Sequence, residues 1–250
     1  MSTSDSGPVL KVDIWRGGAD GGFARYDVPR EESQTILDVV TYVQRNLDPS
    51  LTYRFACRVG MCGSCAMTVN GRPRWTCRTH VAKVAQDDSL RIEPLQNLPV
   101  IKDLAADLTP FFEKWQQARG RFQGRLGRHD EFDRVRPDSS ARQAADAHVE
   151  CINCAVCYSA CDVVSWRPDY LGPAALNRAW VAYNDERDAD PIGVLRAVAS
   201  GAGCLSCHTH QSCAEHCPVE INPTAGIAGL KRAAFKAFLK GQLRGEQGTS

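Results

Sequence analysis

The twelve cysteines of this 250-residue chain occur in three tight groups, at positions 57–77, 151–161 and 204–217. Disulfide scaffolds of secreted proteins are short and spread their cysteines along the chain, whereas grouped cysteines in a longer chain are typical of metal ligands. The length suits two compact domains that can each bury a core. The sequence therefore predicts two domains that fold around metal sites.

Charge and hydropathy limit the class of partner. Thirty basic and 29 acidic side chains give a formal charge of +1, so no polyanionic partner such as a nucleic acid is indicated. No apolar run approaches the roughly 20 residues that span a bilayer, and the start, MSTSDSGPVLK, lacks the features of a secretory signal or a transit peptide. We expect a chain that stays in the cytoplasm and binds no nucleic acid.

The first part of the chain has the pattern of a small β-rich domain. Residues 10–15 and 24–28 alternate like strands around a glycine-rich loop, and residues 35–44 place apolar side chains at helical spacing. Residues 66–75 contain an Asn-Gly hairpin turn, and residues 89–94 can close the sheet as a further strand. This order favours a ferredoxin of the β-grasp type.

Beyond a proline-containing connector at residues 94–104, the pattern becomes helical. We therefore predict an α+β protein with a 2Fe-2S ferredoxin-like domain at 1–104 and a mainly α dicluster ferredoxin domain at 105–250. Helices are predicted at 104–118, 173–184 and 191–200 and after the capping pair Asn222-Pro223, with an exposed arm at 120–140.

The first cysteine group has the C-x4-C-x2-C…C spacing of plant-type 2Fe-2S ferredoxins. Gly60 and Gly63 allow the loop to curl so that its amides can point at the sulfur atoms. Four thiolates also suit zinc, which remains an alternative although the spacing is not that of a usual zinc knuckle. The predicted ligands are Cys57, Cys62, Cys65 and Cys77.

The second group, CINCAVCYSAC, has the spacing of a bacterial ferredoxin run, whose fourth cysteine ligates the other cluster. A second run must then supply a ligand in return, and when residues 204–217 are aligned on their Cys-Pro end, the vacant middle position is His210. The predicted 4Fe-4S ligands are Cys151, Cys154, Cys157 and Cys217. The three thiolates predicted for a 3Fe-4S cluster are Cys161, Cys207 and Cys213.

Alternatives remain open at this distal cluster. His210 or Cys204 could supply a fourth ligand and complete a second 4Fe-4S cluster. Cys204 is otherwise surplus to the register, and its other interpretation is a buried thiol that packs as a small hydrophobe. The stretch CLSCH also matches a c-type haem attachment motif, but that attachment is usual outside the cytoplasm and no export signal is seen.

The three spacings together resemble the iron-sulfur subunit of succinate dehydrogenase and fumarate reductase, the succinate:quinone oxidoreductase family. Stretches that carry the resemblance include CRVGMCGSCAMTVNG, PLQNLPVIKDL, RPDYLGPAAL and CPVEINP. The resemblance implies an electron-carrying subunit with no dicarboxylate site of its own and so no catalytic residue. Electrons would pass between FAD on a partner flavoprotein subunit and a membrane quinone through 2Fe-2S, 4Fe-4S and 3Fe-4S clusters.

The resemblance also implies a location and a quinone site. Membrane anchor subunits would hold the chain at the cytoplasmic face of the bacterial inner membrane. Trp166, His208 and Lys231 match quinone-proximal positions of the family, and each can donate a hydrogen bond to a quinone oxygen. Core or interface packing for Trp166 and a solvated charge for Lys231 are the alternatives.

Two residues depart from the family pattern. Asp162 follows the first run where proline is common, and a carboxylate there should lower the potential of the distal cluster. His210 stands where the family usually has an apolar residue at the vacant ligand position.

Two further functions remain as alternatives. The chain could serve a related flavoprotein dehydrogenase that acts on another acid or delivers electrons to a thiol-disulfide partner. It could also be a non-catalytic zinc or iron-sulfur protein that senses redox state or scaffolds partners.

Overall fold

The structure, a computed structural model, describes residues 8–243 and divides into two compact units. One unit runs to Leu108 and also takes in Ile152–Ala160, while the other consists of Thr109–Cys151 and the chain from Cys161 onward. The predicted ranges, 1–104 and 105–250, differ from these units mainly in Ile152–Ala160.

The first unit contains a five-stranded sheet in the order β2-β1-β5-β3-β4. Its strands are β1 (Val9–Arg16), β2 (Gly22–Pro29), β3 (Ala66–Val69), β4 (Arg72–Trp75) and β5 (Ser89–Glu93). Strands β1 and β5 pair in parallel and the other neighbours are antiparallel. The predicted strands are confirmed. Strands β1 and β2 extend one or two residues beyond their predicted ranges, and β5 ends one residue earlier than predicted.

Helix α1 (Ile36–Tyr42) packs its apolar side chains into the core of this sheet. Thr35 and Asp38 form a capping box that satisfies amides at its start. A π-helical turn, Val43–Leu47, continues the helix, and a short helix, α2 (Val81–Val84), precedes β5. The apolar residues whose alternation in the sequence predicted β1 point into the core, because Leu10, Val12 and Ile14 are fully buried.

The Asn70-Gly71 turn between β3 and β4 has both residues in the left-handed region, with φ of 49° and 75°. This is the conformation that a two-residue hairpin with the twist of a sheet requires, and Asn and Gly are the residues that adopt it most readily. The predicted hairpin is confirmed.

The predicted extended connector ends in a small hairpin. Strands β6 (Val100–Lys102) and β7 (Ala105–Ala106) pair across a turn at Asp103, whose φ is 52°. The carboxylate of Asp103 accepts hydrogen bonds from the amides of Gly17 and Thr52, at 2.7 and 2.8 Å. These distant partners hold the turn, so the local sequence pattern gave no sign of it.

The second unit is helical. Its helices are α3 (Thr109–Gln117), α4 (Ser140–Ala145), α6 (Asp162–Trp166), α7 (Pro173–Asn184), α8 (Pro191–Val198), α9 (Ser212–Glu215) and α10 (Pro223–Leu239), while α5 (Val156–Ser159) belongs to the first unit. Helix α7 is central, since α3, α4, α8 and α10 all pack against it.

Three helix starts follow local chemistry. Proline occupies the first turn of α7, α8 and α10, where it removes no helical hydrogen bond. The side chain of Asn222 accepts from the amide of Ala225 at 3.1 Å and caps α10, as predicted. The helix predicted from residue 104 begins instead at Thr109, which places Pro110 in its first turn. No helix within residues 8–243 is long and apolar enough to span a bilayer.

Candidate iron-sulfur sites

The loop that carries the first cysteine group aims its backbone amides at Cys57. The N–H groups of Val59, Met61 and Cys62 donate to the Cys57 sulfur at 3.4, 3.3 and 3.4 Å. These hydrogen bonds lower the pKa of Cys57 to about 6, because they stabilise the thiolate. The thiolate is the form that binds metal, so the conformation of this loop favours metal binding by Cys57.

The remaining cysteines of this group differ in exposure. Cys62 is exposed, whereas Cys65 and Cys77 are buried beside Leu37. The amide of Cys77 donates to the Cys65 sulfur at 3.5 Å, and burial raises the pKa of Cys77 to about 11. A buried thiol of this kind ionises readily only when a cation binds it. The four predicted ligands thus form a half-exposed site in one unit, and their donors fit a 2Fe-2S cluster.

Gly63 brings this loop against the second cysteine group. Its φ is 71°, and a Cβ built on it would lie 2.7 Å from the Cβ of Cys154. Glycine is therefore required at this position both by conformation and by space.

Hydrogen bonds fasten the segment around Cys154 to the first unit. The amide of Gln96 donates to the hydroxyl of Ser159 at 2.8 Å. The side-chain amide of Asn97 donates to the carbonyls of Tyr158 and Ser159. Cys154 and Cys157 lie in this unit, whereas Cys151 and Cys217 lie in the other, and their joint ligation of a 4Fe-4S cluster stays a prediction.

The three cysteines predicted for the distal cluster line one small, partly open cavity of the second unit. Burial raises the pKa of Cys161 and of Cys213, and the Cys213 sulfur lies 3.2 Å from the hydroxyl of Thr224. Side chains that share this cavity include Asp162, Tyr170, His208 and His210. Three thiols that converge on one cavity fit a cluster held by three thiolates.

Tyr170 is the site residue that the sequence analysis missed. It is almost completely buried, and its hydroxyl forms a hydrogen bond with Cys207. Burial, together with the cysteine thiolates, raises its pKa, so the hydroxyl stays a donor. Tyr170 lies in the stretch RPDYLGPAAL, which carries part of the family resemblance, and that was the available signal in the sequence.

The two ferredoxin runs have matching backbone conformations. In each run the middle position stands between two residues in the left-handed region: Asn153 and Ala155 around Cys154, and Thr209 and Gln211 around His210. A four-residue helix follows in both runs, and its second residue is Cys157 in α5 and Cys213 in α9. The backbone therefore places His210 in the register of Cys154.

Cys204 occupies a different environment. It is fully buried in the turn Cys204–Ser206, where its carbonyl accepts from the amide of Cys207 at 3.3 Å. It lies outside the set of residues that line the distal cavity. Burial raises its pKa, as expected of a packed thiol.

The three predicted quinone-proximal residues lie around Cys207 and His210. Trp166 is 66% exposed, and its ring meets that of His210 edge to face with centroids 6.1 Å apart. The ring of His208 is likewise 6.1 Å from that of His210. Lys231 donates to the carbonyl of Cys207 at 2.7 Å, which ties α10 to the cysteine loop.

A single metal ion would need three or more ligands that converge on one point. Within residues 8–243, no group of His, Cys, Asp or Glu is arranged in that way. The thiolates of an iron-sulfur cluster are divided among two or more iron atoms, so they need not all converge on one point.

Comparison with protein families places both kinds of site in this chain. Residues 11–113 match the 2Fe-2S iron-sulfur cluster binding domain, and residues 150–222 match the 4Fe-4S dicluster domain. The chain therefore carries a 2Fe-2S domain followed by a 4Fe-4S dicluster domain, as predicted.

Individual relatives match over most of the chain. The fumarate reductase iron-sulfur subunit of Mycobacterium tuberculosis is 35% identical over 93% of this chain and 94% of its own length. That of Escherichia coli is 33% identical over 94% and 97%. The mitochondrial succinate dehydrogenase [ubiquinone] iron-sulfur subunit 1 of Oryza sativa is 32% identical over 81% and 72%.

A solved structure has the same fold. A chain of the Mycobacterium smegmatis Sdh1 complex in the apo form superposes with a TM-score of 0.80 at 26% identity, over 93% of this chain and 97% of that chain. The predicted α+β fold, a sheet-rich ferredoxin domain followed by a helical dicluster domain, is confirmed.

Proposed function

The chain belongs to the family of iron-sulfur subunits of succinate dehydrogenase and fumarate reductase, and we propose that it relays electrons between the FAD of a partner flavoprotein subunit and a membrane quinone. It is a subunit of an oxidoreductase complex. The flavoprotein partner would carry the dicarboxylate site, so this chain would make and break no substrate bond.

Three ligand sets would hold the carriers, which are one-electron centres when bound. The 2Fe-2S ligands are Cys57, Cys62, Cys65 and Cys77; the 4Fe-4S ligands are Cys151, Cys154, Cys157 and Cys217; the 3Fe-4S ligands are Cys161, Cys207 and Cys213.

The observation that carries this proposal is the close approach of Gly63 to Cys154. Gly63 lies between two ligands of the first set, and Cys154 belongs to the second set. Backbone packed against backbone at this point leaves no side chain between the two ligand loops. Electron transfer between clusters requires the clusters to be close together. Glycine at position 63 allows the two ligand loops to approach each other.

The chain's own residues would tune the ends of the relay. Amides stabilise the thiolate of Cys57, and the hydroxyl of Tyr170 forms a hydrogen bond with Cys207. Hydrogen bonds to ligand sulfur favour the reduced state, because they offset its extra negative charge. At the quinone end, His208 and Lys231 would donate hydrogen bonds and protons, and Trp166 would donate its N–H.

Docking to membrane anchor subunits would hold the chain at the cytoplasmic face of the bacterial inner membrane. The last turns of α10 present exposed Phe235, Phe238 and Leu239 beside basic Lys236 and Lys240. An apolar surface with basic residues suits both an anchor subunit and anionic headgroups.

The test is purification of the complex from its native membrane, with identification of the co-purifying subunits. Succinate should reduce the clusters, as followed by visible absorption and electron paramagnetic resonance (EPR), and the complex should oxidise succinate with a ubiquinone or menaquinone analogue. A complex without a flavoprotein, or clusters that succinate does not reduce, would contradict the proposal.

A further inference from the structure

His210 has the position of a cluster ligand and the chemistry of one. Its backbone stands between two left-handed residues, Thr209 and Gln211, as Cys154 stands between Asn153 and Ala155. Neither flanking residue in the second run is glycine, so both conformations are strained. The second run thus has, around position 210, the same backbone conformation that the first run has around Cys154.

The side chain of His210 lines the distal cavity. The sulfur-bearing residues Cys161, Cys207 and Cys213 line the same cavity. The rings of Trp166 and His210 meet edge to face, at 6.1 Å between centroids and an angle of 88°. A neutral imidazole is an established ligand for iron in iron-sulfur centres.

We propose that His210 binds a fourth iron at the distal cluster, so that the three-iron form held by the cysteines becomes a 4Fe-4S cluster when ferrous iron is present. The inference rests on the proposed function, in which those three cysteines hold a 3Fe-4S cluster. His210, which departs from the family pattern at the vacant ligand position, would then have a role as a cluster ligand.

The conversion consumes one electron and one ferrous ion. A 3Fe-4S core that has been reduced by one electron is neutral, and uptake of one Fe²⁺ gives a 4Fe-4S core of charge +2. The electron comes from the reduced relay or from added dithionite. The imidazole nitrogen forms the new bond to iron and releases a proton only if it was protonated beforehand.

The competing side chains are less well placed. Cys204 is fully buried and lies outside the cavity lining. His208 lines the cavity, but it directly follows Cys207 and is out of register with Cys154. Because His208 is a second exposed imidazole at the same cavity, it provides a matched control.

The experiment uses the complex purified without oxygen, then oxidised, and then treated with dithionite and ferrous iron. Iron per chain should rise from about nine to about ten. Dithionite alone removes the EPR signal of the oxidised three-iron cluster, so excess iron and dithionite are then removed and the complex is reoxidised without oxygen, and the three-iron signal should stay absent. Nitrogen-15 labelling of histidine should change a nitrogen coupling in pulsed EPR of the reduced four-iron cluster.

Four variants locate the ligand. His210→Ala should recover the three-iron signal on reoxidation and stay at about nine irons, whereas His208→Ala and Cys204→Ser should take up the extra iron like the parent. His210→Cys should take it up without the nitrogen coupling. A parent complex that holds about ten irons from the start supports the inference equally if His210→Ala holds one fewer.

Two results would overturn the inference: a parent complex that stays at about nine irons with its three-iron signal, or a His210→Ala complex that gains the iron. Loss of uptake in Cys204→Ser instead would assign the position to that cysteine. None of these results bears on the relay, which fails separately if succinate reduces no cluster before iron is added.

Discussion

Gly63 lies so close to Cys154 that a Cβ at position 63 would stand 2.7 Å from the Cβ of that cysteine. Gly63→Ala should therefore destabilise the first unit by more than the cost of its left-handed backbone. The backbone contributes about 1 kcal/mol, and the forced separation of the loops adds about 1–3 kcal/mol. The midpoint of thermal unfolding and the retained visible absorbance of the clusters measure the effect.

Gly71→Ala is the matched control for this prediction. Gly71 has a similar φ of 75°, but a Cβ there would meet nothing within 4 Å. The free energy of unfolding of the Gly71→Ala variant should fall only by the backbone contribution, and the variant should keep its clusters. Equal losses in the two variants would show that the contact between Gly63 and Cys154 adds nothing.

Tyr170→Phe should lower the reduction potential of the distal cluster. The change removes a hydrogen bond to Cys207 while it keeps the buried ring, and without that bond the more negative, reduced state is less stable. A redox titration followed by EPR measures the potential. Tyr183→Phe, whose ring stacks on Trp180, is the control and should leave the potential in place; a rise in the Tyr170→Phe variant would refute the assigned direction.

Asp162→Asn should shift the same potential upward. Asp162 lines the distal cavity. Burial raises the pKa of Cys161, and the negative charge of Asp162 adds to that rise. The same charge opposes the arrival of an electron, so its removal favours reduction. Asp169→Asn removes an exposed carboxylate that pairs with Arg167 outside the cavity lining. An equal shift in both variants would mean that the location of Asp162 is immaterial.

Asp103→Asn should destabilise the first unit at neutral pH by about 3 kcal/mol. The carboxylate is 1% exposed, accepts from the amides of Gly17 and Thr52, and lies 3.2 Å from the guanidinium of Arg16. Burial raises the pKa of Asp103, but these partners together lower it below its ordinary value. Thermal unfolding of the two proteins across the pH range measures the difference.

The sign of the pH dependence follows from that lowered pKa. The stabilisation is present above the unfolded pKa, about 3.9, and is lost as the pH falls through the lower folded value. The difference in unfolding free energy between the parent and Asp103→Asn should therefore become smaller below about pH 4. Asp13→Asn breaks a more exposed pair with Arg25 and should cost less than about 1 kcal/mol; a cost as large as that of Asp103→Asn would contradict the role given to burial.

His208→Ala should weaken the use of quinone. Loss of one hydrogen bond to a quinone oxygen, worth about 1.4 kcal/mol, corresponds to a roughly tenfold fall in kcat/KM for a quinone analogue. Steady-state assays of the purified complex measure this ratio. His129→Ala, in the exposed arm, provides the control, and equal kinetics for the two variants would remove His208 from the quinone site.

Local chemistry made much of the fold predictable. Helix α7 has its predicted limits, Pro173–Asn184, because proline starts it and apolar residues repeat at helical spacing through it. The Asn70-Gly71 turn was predictable for the same kind of reason. The cysteine spacing also indicated the register of His210, which the matching left-handed residues of both runs reproduce.

The features that escaped prediction depend on distant partners. The turn at Asp103 is held by amides of Gly17 and Thr52, far away in the chain. Tyr170 acquires its role only because folding buries its hydroxyl against Cys207. The membership of Ile152–Ala160 in the first unit likewise rests on side chains such as Asn97, which no spacing rule connects to it.

That membership sets an order for biosynthesis. The first unit is discontinuous, since its main part ends at Leu108 and its last piece is Ile152–Ala160. A ribosome must therefore release the chain beyond Ala160 before this unit can close around Cys154. By then the Thr109–Cys151 stretch of the second unit is already synthesised, while its helices from α6 onward are not. A nascent chain that ends before Cys154 leaves Gly63 without the neighbour that it contacts in the folded unit.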